Sequence, residues 1–200
     1  LPKKTAEIND SAYRATIVDN IFDTKQGVTF ASPVKGHNIA YTSLWDNYPD
    51  SIDVPAKGKG HQAWLLMAGS TNNMQSRIDN GVVIAMYADG SSDTLRLRNP
   101  ENWCPIEQDY YTDGLAFSTV QPRPYRIHLG SGMVSRDLYG DLMRLGIIKK
   151  HTRTAEQNII PDGAAQILNM KLNPKKKLKA FRIKTLSNEV VIGIMAISIE

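Results

Sequence analysis

Tyr41, Trp45, Asp46, Asn47, Tyr48, Pro49 and Asp50 fall within ten residues, and rings this close to short polar groups can recognise sugars. An aromatic face is an apolar wall for the C–H face of a pyranose, while a carboxylate, amide or guanidinium beside it hydrogen-bonds the hydroxyls. Apolar walls with a few placed polar groups are the general make-up of a ligand site. Trp103, Tyr110 and Tyr111 occupy comparable stretches between expected strands. The carbohydrate-binding candidates are therefore Trp45, Asp46, Asn47, Tyr48, Trp103, Tyr110, Tyr111 and Arg123, with Asp46, Asn47 and Arg123 as polar partners. The same residue types have a competing structural use: tryptophans beneath loops plug cores, and Asp and Asn fix turns.

Hydrolysis of a glycosidic bond needs two carboxyl groups about 5–10 Å apart. Glu107 and Asp109 form one candidate set, and Asp46, Asp50 and Asp53 another. Loop acids more often cap turns or are simply solvated, so no catalytic residue is assigned. His37, His61, His128 and His151 show neither H-x-H nor H-E-x-x-H spacing, and the chain has no phosphate-binding glycine loop, nucleophile elbow or dinucleotide fingerprint. Cys104 is the single cysteine, which excludes an internal disulfide framework and a cysteine-based zinc cluster. Set between Trp103 and Pro105, it reads as a packed, inert thiol. No cofactor is expected. A structural calcium stays open, since loop oxygens are hard ligands, but without EF-hand spacing its ligands cannot be named.

The net charge of +4 comes from one place. Lys175, Lys176, Lys177, Lys179, Arg182 and Lys184 are uninterrupted by any acid, and without these six charges the rest of the chain carries −2. This is not the global basicity of a nucleic-acid-binding domain, and no aromatics interleave the lysines as on a single-strand platform. The stretch reads best as a solvated face protecting an edge strand; contact with phosphates or an acidic polysaccharide is the alternative. The longest apolar run, 190–199, is about half of the roughly 20 residues a membrane helix needs. The chain starts at Leu1 rather than Met, as expected of a processed product or a piece of a longer protein.

The elements that would position these residues are mostly strands. From Gly27 on, short apolar runs recur between Gly, Pro, Asn and Asp clusters. Strands are expected near 27–31, 39–44, 62–68, 81–88, 93–98, 123–129, 164–171, 177–186 and 189–199. Asp89-Gly90 marks a hairpin between 81–88 and 93–98. A change of phase predicts a bulge near Ala180–Phe181. The turn 186–189 predicts a C-terminal hairpin, and 190–197, apolar at both parities, a central strand covered on both faces. Leu138, Leu142 and Leu145 predict one short helix over 136–145. The fold class is all-β, an antiparallel β-sandwich of jelly-roll type spanning 27–200. Residues 1–26 are expected as an N-terminal extension or linker with one or two helical turns near 7–14.

Four strings carry a resemblance: HNIAYTSLWDNYP at 37–49, AGSTNNMQSRIDNG at 68–81, NPENWCPIE at 99–107 and LSNEVVIG at 186–193. Together they resemble the C-terminal β-sandwich of a family of large, secreted bacterial glycoside hydrolases, whose six-hairpin (α/α) barrel is similar to glycogen-debranching enzymes. The last strand also looks like galactose-binding-like jelly rolls. The resemblance covers about 27–200 and implies a non-catalytic, carbohydrate-associated accessory module. Its partners would be a polysaccharide or oligosaccharide and the catalytic domain of the same protein, in the periplasm, at the cell surface or secreted, with no nucleic acid and no membrane. It implies no particular binding residue. The rival expectations are a purely structural module packed on a catalytic domain, and an autonomous hydrolase using Asp46 with Glu107 or Asp109.

Overall fold

A computed structural model describes residues 8–45, 48–71, 75–110, 118–148 and 158–200. Its first elements are α1 (Ser11–Ala15), β1 (Ile21–Asp23), β2 (Thr29–Ala31), β3 (Ala40–Ser43) and β4 (Ser51–Pro55). Two long strands follow, β5 (Gln62–Thr71) and β6 (Asp79–Tyr87), then β7 (Ser92–Arg98), β8 (Tyr125–His128) and β9 (Val134–Ser135). The chain closes with α2 (Leu138–Arg144), β10 (Ala164–Lys171), β11 (Leu178–Thr185) and β12 (Val190–Ile199).

Two antiparallel sheets face each other, one ordered β3-β12-β5-β10-β8-β9 and the other β4-β11-β6-β7. The pairs β3·β12, β4·β11, β5·β10 and β6·β7 are those of one long hairpin rolled upon itself, which is the jelly roll expected from the sequence. β8 and β9 extend the larger sheet at one edge. Between the sheets lies the main core, built from inward positions such as Leu65 and Met67 of β5, Val83 of β6, Leu168 of β10, Phe181 and Ile183 of β11, and Ile192 of β12. Thr42 and Thr185 hydroxyls, 2.7 Å apart, tie the two sheets near one end.

The larger sheet is covered on its other face as well. Tyr13 and Ile17 from the α1 region and Phe22, Val28 and Phe30 from the β1–β2 hairpin pack on Leu66, Ala68, Ile127, Ala165 and Ile167. The N-terminal stretch, expected as an extension or linker up to residue 26, is thus a third layer from about Asn9 onward. Its apolar residues Tyr13, Ile17, Phe22, Val28 and Phe30 lie in or beside one short helix and two three-residue strands, too short for any one element to show a period of its own.

The expected turns and edges fare unevenly. The Asp89-Gly90 hairpin forms as read, with Gly90 at φ +85°. The bulge lies between Leu178 and Ala180, about a residue earlier than expected. β11 and β12 do not form a hairpin: they lie in different sheets, and 186–189 is an arch between layers. The lysine-rich β11 is no edge strand either, because β4 and β6 flank it. β1, β4 and β9 are additional strands, β4 falling directly after the aromatic segment.

Candidate functional site

The jelly roll gathers the loops β3–β4, β5–β6 and β11–β12 and the long β7–β8 connection at one end. At the two sides of the 44–50 segment, Tyr48 N–H donates to Trp45 O at 3.1 Å and Ser43 N–H donates to Pro49 O at 3.0 Å. The Ser43 hydroxyl accepts from Trp45 N–H at 3.3 Å and itself donates to Val190 O at 3.0 Å, anchoring the loop to β12. The Tyr48 ring stands edge-on to Tyr41, 6.3 Å between centroids and 74° between planes. Tyr48 is 42% exposed, whereas Tyr41 and Trp45 are half-buried. Burial, with a smaller contribution from Tyr48, raises the Tyr41 hydroxyl above its ordinary pKa, so it stays a neutral donor. The ring of Tyr41 packs where Gly193 leaves room: a Cβ there would stand 2.8 Å from Tyr41 Cε1. Asp46 and Asn47, the polar partners expected in this loop, lie outside the described residues, as does Tyr111.

The other candidates are not at this surface. Trp103 is fully buried in the main core, its ring 2.8 Å from where a Cβ on Gly69 would be. Tyr110 is 2% exposed, its hydroxyl 2.9 Å from both Asn102 O and Gln166 Oε1. Neither ring can stack on a sugar from these positions, so the expectation for both is corrected: they fasten the β7–β8 connection to the sheet. Arg123 is half-buried; its carbonyl accepts from Arg136, whose guanidinium lies 3.9 Å from the centroid of the Tyr125 ring.

The β7–β8 connection is organised by a group the sequence reading missed, the wholly buried Arg126 of β8. Its Nε donates to Ala165 O at 3.2 Å, and Nη2 to Pro105 O at 3.2 Å and Ala164 O at 2.9 Å. Nη1 donates to Gln108 O at 2.8 Å and to Cys104 Sγ. All five guanidinium N–H groups are thus used. Asp109 supplies the countercharge, with its Oδ1 3.6 Å from Nη1. The same carboxylate accepts from Tyr110 N–H at 2.9 Å and from Tyr139 N–H, in the first turn of α2, at 2.8 Å. It is therefore both the ion-pair partner of Arg126 and a cap for the helix.

This arrangement decides what the carboxylates here can do. Asp109 is locked at both oxygens. The Glu107 carboxyl is raised above its ordinary range chiefly by burial, with Arg126 acting against that. Burial pushes the Cys104 thiol up to about 12, so it stays protonated and unreactive at neutral pH, in keeping with its reading as inert. Asp53 is held by Arg182 at 2.7 Å on the outer face of the smaller sheet. Among the described residues no three His, Cys, Asp or Glu side chains gather to hold a metal ion. Buried His128 places Nε2 3.0 Å from Pro161 O and Nδ1 2.8 Å from the Ser131 hydroxyl, so both nitrogens are occupied.

No protein-family model matches the chain, and no curated protein or solved structure matches it.

Proposed function

We propose that the chain is a non-catalytic, carbohydrate-associated module of a glycoside hydrolase, secreted, periplasmic or at the cell surface, which touches glycan through Tyr48, Trp45 and Tyr41. The observation that carries this reading is the ring cluster at the loop end, fixed by backbone hydrogen bonds and centred on the exposed Tyr48. A preformed aromatic corner loses little conformational entropy when a pyranose settles on it, and its tyrosine hydroxyls can bond the sugar. Contact through so few rings gives weak affinity, in the micromolar to millimolar range, about −8 to −4 kcal/mol. Affinity gel electrophoresis against neutral plant, host and storage polysaccharides tests it. Retardation by one of them, weakened at least tenfold in Trp45→Ala and Tyr48→Ala, is the expected result.

A specific feature favours a second reading, a structural module docked on a catalytic domain. Leu44, Ile78 and Leu186 are 40%, 47% and 42% exposed in three loops of this same end. Apolar side chains of neighbouring loops suit a protein interface better than a glycan. Failure of every polysaccharide to retard the chain, together with capture of the separately produced catalytic domain and loss of capture in Leu186→Asp, would replace the first reading by this one.

A further inference from the structure

The end of the sandwich opposite the aromatic loops carries a concentration of positive charge assembled from separate parts of the chain. The β4–β5 loop brings Lys57 and Lys59, the end of β10 brings Lys171, and the β10–β11 connection and start of β11 bring Lys175, Lys177 and Lys179. Backbone pairing holds them together: Leu178 N–H donates to Gly58 O at 2.8 Å and Ala56 N–H to Lys179 O at 3.1 Å. Lysines thus flank both members of the Leu178–Gly58 contact. All six are exposed, and among the described residues none has a carboxylate within ion-pairing distance. The acids near this end have partners of their own, although Asp53 also feels the charge of Lys179. Asp89 pairs with Lys176 at 3.2 Å, Asp53 with Arg182, and Asp93 accepts from the Tyr87 hydroxyl at 2.5 Å. Glu200, the last residue, adds negative charge at the margin, where its carbonyl accepts from His61 N–H.

We infer that this lysine end is a binding surface for an anionic polysaccharide, a chain bearing uronate or sulfate groups. The choice of a glycan over other polyanions rests on the carbohydrate-associated reading above; the charge cluster itself does not. Clustered like charges raise the energy of the free protein and are relieved by a polyanion that bridges them, releasing counterions. Lysine suits such a partner, because flexible point charges follow carboxylates or sulfates on a chain without demanding one fixed fork geometry. A single nucleic-acid strand is less well matched, since among the described residues this end exposes no Trp, Tyr, Phe or large aliphatic side chain on which bases could stack. β5 runs from Gln62 at the lysine end to Thr71 at the aromatic end. At about 3.3 Å per residue the two surfaces stand roughly 30 Å apart, so a charge change at one leaves the other intact.

Affinity electrophoresis and titration calorimetry with polygalacturonate, chondroitin sulfate, glycogen and double-stranded DNA test the assignment, using the native chain, Trp45→Ala, and a variant with Lys57, Lys59, Lys177 and Lys179 all changed to Gln. The four lysines are exposed, so the variant should melt at the native temperature. The expected result is binding to polygalacturonate or chondroitin sulfate that weakens steeply between 50 and 200 mM salt, drops at least tenfold in the lysine variant and is unchanged in Trp45→Ala. Undiminished binding by the lysine variant, equal or tighter binding to DNA, or no binding to either acidic glycan overturns it. Retardation by glycogen lost in Trp45→Ala, without acidic-glycan binding, would sink this inference and leave the aromatic site standing; the converse pattern would keep the lysine surface and sink the aromatic site.

Discussion

Arg126 shows how one side chain can hold a long connection in place. A buried guanidinium is costly unless its charge and all its donors are matched, and here Asp109, two carbonyls of β10, two of the 104–110 segment and the Cys104 sulfur do the matching. Replacing it by Met should cost about 3–5 kcal/mol, since Asp109 would be left as an uncompensated buried charge and the carbonyls would lose their donors. Arg126→Lys should recover little, because an ammonium presents three donors from a single point rather than a planar fork. Urea unfolding of both variants measures this, and a loss below about 1 kcal/mol for Met would mean the cluster relaxes or hydrates. The residue was not legible in the sequence for a definite reason. In β8, Arg126 and His128 share a parity opposite Ile127, and an alternating strand is read with its polar residues in water. Both faces of this strand are covered, so Arg126 and His128 are buried together with Ile127. The aromatic candidates divided for a similar reason: Trp45 and Tyr48 sit in a short loop, whereas Trp103 and Tyr110 sit in a connection clamped down by Arg126.

Strands and turns were the most legible level, and their failures follow from what local pattern can encode. The β6–β7 hairpin was readable because Gly90 takes a positive φ in a tight connection. The arch at 186–189 has the length of a hairpin loop, and only the distribution of its flanking strands between two sheets tells the cases apart. Glycines inside strands are the other ambiguous signal, because close backbone or ring approach looks like a simple loss of strand propensity. Gly69 of β5 is such a site: an added Cβ would be 2.1 Å from Val191 O and 2.8 Å from Trp103 Cζ2. Neither a ladder carbonyl nor a buried indole can move cheaply, so Gly69→Ala should reach or exceed the upper end of the roughly 1–3 kcal/mol typical of overpacking. Gly90→Ala has open space around it and suffers only the backbone penalty, about 1 kcal/mol. Thermal unfolding of the two variants should place Gly69→Ala well below Gly90→Ala; the reverse order would mean that Trp103 and β12 yield more easily than their packing implies.

At the scale of the whole molecule, the central sheet is apolar on both sides, and that fixes what can be removed. β5 sends Leu65 and Met67 into the space between the sheets and Leu66 and Ala68 into the layer under α1 and the β1–β2 hairpin. Tyr13 and Phe22 meet edge-to-face at 4.8 Å, and the Tyr13 hydroxyl bonds Ser32 at 3.0 Å, so this layer has its own internal fastening. Removing residues 1–32 would uncover Leu66, Ile127 and Ile167, each now at most 4% exposed. Burying a side chain of this size contributes about 1.5–3 kcal/mol, and a domain is stable by only about 5–15 kcal/mol in total. The shortened chain should therefore aggregate, or bind a hydrophobic dye and lose its cooperative melting, although all eight strands of the roll remain in it. If it instead stays monomeric and melts cooperatively near the native temperature, the N-terminal layer is an accessory to a self-sufficient sandwich, and the folding unit begins after residue 32, later than the boundary near residue 27 expected from the sequence. The opposite outcome would make the three layers one cooperative structure, with the aromatic and lysine ends held rigidly apart by it.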